Sequence, residues 1–298
     1  MVNTTRKLAW GVRAVGIPHS VLGAARFIGL LARRPDHGEI RLRSGGILTF
    51  ANPSQRVPAL VVFGDVIDPE LLLLRRLLTS TSVVVDVGAA IGQFTVVAGQ
   101  TPGVVVYAYE PSSTNLSSLR RNIAVNDLAN RVTVRQAALS SSAGTATFRT
   151  TPNTFLSGLS TDDSPAAGET VPVVTITDEL RRLGRDHIDV LKVNVAGYEA
   201  EVLEGAMPAL ENGAVHLLIV LISTSVIPVL QRIQRLDYRF FFYDPYKISL
   251  HELERIDVET LRSPPTPARH VLAIRSDDLS SGPLGAIPVV RQRVHRGR

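Results

Sequence analysis

The chain has no cysteine among its 298 residues. Disulfides, thiolate metal sites and a cysteine nucleophile are thereby excluded. Lysine is scarce: Lys7, Lys192 and Lys247 are the only lysines among 32 Lys+Arg residues. That bias fits a GC-rich genome more simply than a function. No stretch is apolar for long enough to cross a bilayer. Residues 9–31 come nearest, but Arg13, Pro18, His19 and Arg26 interrupt them. No small-residue cleavage site follows a compact apolar run there, as a secretory leader would need. Acidic residues are missing from the first 35 positions, Asp36 being the first.

What is present suits a large core: 45% of residues are hydrophobic. The formal charge is +5 and the pI near 9.9. The basic residues are dense at both ends, as Arg6, Lys7, Arg13, Arg26, Arg33 and Arg34 and again as RQRVHRGR over 291–298. Such ends can meet phosphate, lipid headgroups or nucleic acid, and are also common as plain solvated tails. Residues 1–35 read as helical with a break at Gly16-Ile17-Pro18. They suit either packing on the main domain or lying flat on a membrane.

Residues 39–63 alternate around Gly45-Gly46 and predict a hairpin. A helix is expected from Pro69 to Leu78, capped by Asp68. Strands and helices then alternate from Val83 onward, the signature of a mostly parallel sheet covered on both faces. The Phe240–Tyr243 and Val271–Ile274 strands close the series, with an antiparallel edge strand expected because the connection between them is poor in helix. Ser140 to Gly168 is a region of polar and small residues with one short strand over 144–149. Residues 277–298 read as a basic flexible tail.

The segment VVVDVGAAIGQFTV, Val83 to Val96, places Asp86 at a strand end, then Gly88 and Gly92, then a helix. Glycines there let backbone approach a ligand, and a helix start offers free N–H groups. The spacing is not that of the dinucleotide fingerprint. An acidic residue ahead of the glycine suits a ligand carrying ammonium or sulfonium charge. The next strand ends at Glu110-Pro111, where a carboxylate can accept ribose hydroxyl protons.

These motifs, with AYEPSSTNLSSLRRNIAVN, QAALSSSAGTATF and DVLKVNVAGYEAEVLEGA, resemble the FkbM family of methyltransferases from about Leu72 to Arg275. The resemblance implies a class I methyltransferase fold: Rossmann-like, α/β, with a mostly parallel seven-stranded sheet over 79–276 behind an N-terminal extension of residues 1–78. It implies S-adenosyl-L-methionine as cofactor and O-methylation of a hydroxyl on a sugar, natural product or glycolipid. By the match, Asp86, Gly88, Ala89 and Gly92 hold the methionine part, and Glu110 and Pro111 the ribose side. Asn115 follows as a polar neighbour, and Gln136, Ala137 and Ala138 border the adenine. Lys192, Asn194 and Glu199 are the candidate catalytic residues.

The chain departs from the family pattern at the fourth strand, where Asn194 and Ala196 stand for an Asp and a Glu. Leu221 stands for an acidic residue on the next strand, and Ala90 for an Asn in the first loop. An alcohol needs a base or a metal to lose its proton. Asn194, Ala196 and Leu221 supply neither, so no metal site is expected. Glu199, His216, Asp178 and Glu201 are left as bases, each with an ordinary structural alternative. An active enzyme and a cofactor-binding protein without turnover both remain open. The remaining expectations are a small-molecule or glycolipid acceptor, no specific nucleic-acid partner, a homodimer, and a cytoplasmic location with peripheral membrane contact through the N-terminal segment.

Overall fold

The computed structural model describes residues 4–33, 38–43, 45–50, 58–149, 158–160, 168–262, 264, 268–280 and 282–291. Helices α1 (Thr4–Val15) and α2 (Ile17–Arg33) meet at Gly16, whose φ of 81° is a turn that favours glycine. Strands β1 (Gly38–Arg41) and β2 (Ile47–Phe50) form the expected hairpin. It ends earlier than the sequence suggested. Pro58–Phe63 is helix α3, because an apolar run of that length carries no period to separate helix from strand. Helix α4 (Pro69–Leu77) starts at Pro69 with Asp68 at its N-cap, although the Asp68 side chain makes no capping bond.

The main domain runs β3 (Val83–Val87), α5 (Gln93–Gly99), β4 (Val105–Tyr109), α6 (Ser113–Val125) and β5 (Val132–Arg135). All five residues of β3 are buried, as a strand covered on both faces requires. Helix α6 is capped by Ser112, whose hydroxyl accepts from the Asn115 N–H. Asn122 of α6 and Asn126 at its C-cap grip the free edge of β2. Asn122 Oδ1 accepts from Thr49 N at 2.6 Å and its Nδ2 donates to Thr49 O at 3.0 Å. Asn126 repeats the pattern on Ile47, at 2.7 Å each way.

A second, four-stranded sheet then forms from β6 (Ala138–Leu139), β7 (Gly144–Arg149), β8 (Gly158–Ser160) and β9 (Glu169–Val174), in the order β6-β9-β7-β8. β7 is the short strand expected over 144–149, and β8 adds a second one within the polar and small-residue stretch. The parts over 150–157 and 161–167 lie outside the described residues. The chain continues through α7 (Ile176–Arg182), β10 (Ile188–Val193), α8 (Glu199–Glu211), β11 (Val215–Leu221), α9 (Ile227–Gln234), β12 (Tyr238–Asp244), β13 (Ser249–Leu253), α10 (Val258–Arg262), β14 (His270–Arg275), α11 (Gly282–Gly285) and β15 (Val289–Arg291).

The large sheet has nine strands in the order β15-β13-β12-β14-β11-β10-β3-β4-β5. Its seven-strand part, from β12 to β5, is the expected Rossmann-like arrangement, and β13 and β15 extend it. The antiparallel strand is not at the edge. β14 pairs antiparallel with both β11 and β12, so it is inserted between them. Residues 277–291, read as flexible tail, hold a 3-10 turn at Asp277–Ser280, α11 and β15, which pairs with β13. Residues 292–298 lie outside the described residues. The cluster Phe240-Phe241-Phe242 is fully buried and feeds the cores on the two faces of the sheet alternately, so it lines no pocket.

Candidate active site

The parallel strands β3, β4 and β10 deliver Asp86, Glu110 and Asn194 to one edge of the sheet, the carboxyl end where open α/β sheets bind ligands. Gly88 has φ of 75°, and a Cβ there would fall 2.1 Å from the Asn194 carbonyl oxygen. Only glycine lets the β3 loop pass this close to the end of β10. Gly92 also has positive φ, and a Cβ on it would meet the Leu119 side chain at 2.5 Å.

Asp86 is completely buried, and its oxygens are taken up within the protein. Thr95 Oγ1 donates to Oδ2 at 2.6 Å, and Lys192 Nζ donates to Oδ1 at 2.8 Å. The same ammonium donates to the Gly88 carbonyl at 2.8 Å and lies 3.4 Å from that of Val87. Lys192 thus spends its charge on the loop. Ala89 is buried behind it.

Glu110 closes the loop from the other side. Its Oε2 accepts from the Ala90 N–H at 2.8 Å, and its Oε1 from the Ser112 N–H at 3.0 Å and Asn115 Nδ2 at 3.3 Å. Burial pushes this carboxyl above the usual carboxylate range. The N–H groups of Ser112 and Ala90, the Asn115 amide and the Lys192 charge oppose the shift. Pro111 passes its carbonyl to Gln136 Nε2 at 3.2 Å, which puts the exposed Gln136 side chain beside the Glu110 turn. Ala137 and Ala138 are buried, Ala137 in the main core and Ala138 with Phe148, Val171 and Val173 in the small sheet.

Glu199 does not face the site as a free base. It is fully buried, and its Oε1 accepts from the N–H groups of Val195 and Gly197 at 3.1 and 3.2 Å, with Oε2 3.1 Å from the latter. It holds the 194–198 turn, where Ala196 has φ of 53° and Gly197 of 112°. His216 is excluded by topology. It sits at the start of β11, at the opposite edge of the sheet, 3.5 Å from Asp189 and stacked on His187. Asp178 bonds Thr175 and Arg181, and Glu201 is an exposed first-turn residue.

Sequence reasoning missed two residues. Asn194 Nδ2 lies 3.3 Å from His270 Nε2, and His270 Nδ1 lies 2.5 Å from Glu70 Oε1. Both His270 and Glu70 are buried. His270 also pairs across the sheet with Leu221, so two of the three positions that have lost an acid adjoin this imidazole. Its place in an antiparallel strand far along the chain, and its partner in the N-terminal extension, left no local signal.

The FkbM methyltransferase domain model matches residues 86–240, just over half of the chain. The chain belongs to the FkbM methyltransferase family. Methyltransferase sdnD of Sordaria araneosa is 34% identical over 161 residues, covering 43% of this chain and 61% of that protein. The 31-O-demethyl-FK506 methyltransferase FkbM of Streptomyces tacrolimicus is 31% identical over 158 residues, covering 43% and 60%. The chain therefore spans about three fifths of the length of these curated relatives. Among solved structures, the methyltransferase FkbM of Methylobacillus flagellatus KT aligns with a TM-score of 0.44 at 17% identity, covering 89% of this chain and 60% of that one. An rRNA methylase of Streptococcus thermophilus aligns at 0.41 and 14%, covering 70% and 94%. The FkbM match takes in Asp86, Glu110, Lys192, Asn194 and Glu199, but not Glu70 or His270.

Proposed function

We propose that this FkbM family member binds S-adenosylmethionine at the β3–β4 edge and methylates a hydroxyl group on a sugar, natural-product or glycolipid acceptor. The observation that carries the reading is Glu110: a buried carboxylate at the tip of β4, already tied to the Ala90 N–H of the glycine loop. A carboxylate has about four acceptor positions, so its three protein donors leave room for a ribose hydroxyl. The residues present fit the cofactor on this ground, with Asp86 and Lys192 acting behind the loop to hold its shape.

The bound cofactor supplies an electrophilic methyl group on sulfur. When bound, the cofactor would donate that methyl to the acceptor oxygen and keep the S–CH3 electron pair on sulfur, leaving the hydroxyl proton for a protein base to take. Asn194, at the end of β10 and 3.3 Å from His270 Nε2, is our candidate for orienting the acceptor hydroxyl. His270, whose Nδ1 lies 2.5 Å from Glu70 Oε1 without hydrogen-bond geometry, receives the proton as the general base. A second reading, cofactor binding without turnover, draws on the engagement of Glu199 with backbone N–H groups and on the changed residues at 194, 196 and 221.

Titration calorimetry with S-adenosylmethionine and S-adenosylhomocysteine tests the shared part: binding of neither overturns both readings. Transfer of labelled methyl to a panel of hydroxylated acceptors, followed by His270→Gln, separates them. Turnover that falls by about 10²–10⁴-fold in the variant, the usual contribution of a positioned base, supports the enzyme. Binding with no turnover on any acceptor supports the second reading.

A further inference from the structure

Helix α2 is amphipathic in an unusual sense: it has two apolar faces, and the protein core uses only one. The inner face is fixed by close backbone approach. A Cβ on Gly23 would fall 2.3 Å from the Val62 carbonyl oxygen, and Phe27 and Leu30 pack on the main core. Helix α1 is anchored alongside, with Trp10 Nε1 donating to the Val66 carbonyl at 3.2 Å. The outer face of α2 carries Ile17, Val21, Ala25 and Ile28 at helical spacing, with Leu22 beside them. Ile17, Val21, Leu22 and Ile28 are 64–70% exposed, and Leu8 of α1 is 48% exposed. Half of the exposed large apolar side chains among the described residues thus fall within this one helical pair.

The charge that helices α1 and α2 themselves carry is of one sign, with Glu39 of β1 the neighbouring carboxylate. Arg13, His19 and Arg26 are exposed at its border, and the first 35 residues hold no carboxylate. Arg26 is steadied by a bond to the Glu39 carbonyl at 2.8 Å. No described helix is long and apolar enough to cross a membrane. A short apolar stripe edged by cations is instead the pattern of a helix that lies in the plane of the interface.

We infer that the outer face of α1 and α2, centred on Val21 and Ile28, docks on an anionic membrane surface. A second copy of the chain is the competing occupant, but a face-to-face pair would bring two carboxylate-free basic segments together, which like-charge repulsion opposes. Anionic headgroups complement both the charge and the apolar stripe. The platform also adjoins the site. The Trp10 ring lies 4.5 Å from that of Tyr246 in a T-shaped contact, and Tyr246 follows β12 at the same sheet edge as Glu110 and Asn194. Docking therefore brings that edge to the bilayer.

The test is flotation of the full-length protein with phosphatidylcholine vesicles, with and without phosphatidylglycerol, in low and high salt. No cofactor is present, so the result is independent of the methyl-transfer reading. Binding to the anionic vesicles, weakened by salt and lost at least tenfold in a V21D/I28D variant, is the expected result. Circular dichroism and S-adenosylhomocysteine calorimetry check that the variant is folded, and if it is not, R26E alone with the same lipids takes its place. No binding by the unchanged protein, or equal binding by the variant, overturns the inference. Sedimentation as a dimer that V21D/I28D dissociates, with no vesicle binding, assigns the face to a second copy instead.

Discussion

Lys192 Nζ stands 2.8 Å from Asp86 Oδ1 and 2.8 Å from the Gly88 carbonyl, so one buried ammonium joins two parallel strands and the glycine loop that follows β3. The pair is almost without solvent, at 8% and 0% side-chain exposure. Removing one member leaves the other charged and unpaired. Lys192→Met is expected to destabilise the protein by about 3–5 kcal/mol, the usual scale for breaking a buried pair. Adding Asp86→Asn should recover much of the loss, because an uncharged amide needs no counter-ion. Urea denaturation of the two single variants and the double variant checks this, and strictly additive losses would mean that the pair is not coupled.

The raised pKa of Glu110 sets a direction for pH. Its folded value lies above its unfolded one. Its contribution to stability is therefore fully present below the ordinary carboxylate pKa and is lost as pH rises through the folded value. Under the proposed binding mode, in which the ionised carboxylate accepts ribose hydroxyls, cofactor binding should run the other way. Affinity for S-adenosylhomocysteine should fall as pH drops through that raised value, and Glu110→Gln should weaken and flatten the profile. Calorimetry across pH measures both, and a profile unchanged in Glu110→Gln places the ribose elsewhere.

Gly88 and Ala196 give opposite expectations at positive φ. Gly88→Ala should destabilise by more than the about 1–2 kcal/mol left-handed penalty, because its Cβ also collides with the Asn194 carbonyl. Ala196 already occupies the left-handed region at φ 53° and is exposed. Ala196→Gly removes strain while adding freedom to the unfolded chain, for a net gain of up to about 1 kcal/mol. Thermal melts compare the two, and a loss in Ala196→Gly would show that the turn is not strained.

The imidazole of His270 connects residues far apart in sequence. Glu70→Gln should lower methyl transfer less than His270→Gln does, because Glu70 adjoins only the far nitrogen of the ring. Cofactor affinity should hold in both variants. Methyl transfer unchanged in Glu70→Gln assigns that contact to packing alone.

Much of this architecture is legible in the residue order. The Val83–Val87 run, the glycines at 88 and 92, and Glu110 at the end of the next strand report themselves through local pattern, because a buried parallel strand and a tight turn each restrict residue type. Four features do not. β14 inserts between β11 and β12, since periodicity shows that a strand exists but not whom it pairs with. Residues 58–63 form a helix because six apolar residues carry no period. Glu199 and Lys192 look catalytic as residue types and turn out to brace backbone, a distinction only hydrogen-bond geometry makes. The Asn194–His270–Glu70 string was invisible for the same reason, as its members come from three separate elements.

Asn122 and Asn126 let a helix stand in for a neighbouring strand. Four residues of helix rise about 6 Å and two residues of strand about 6.6 Å, so amides one turn apart match alternate residues of β2. The edge that a two-stranded ribbon would otherwise offer to any passing chain is filled from within the same molecule. Asn122 Nδ2 also reaches the Ile91 carbonyl at 2.7 Å, so the residue that seals the ribbon also touches the glycine loop after β3. Edge protection and loop geometry are thereby linked through one side chain: a change at 122 is felt in both.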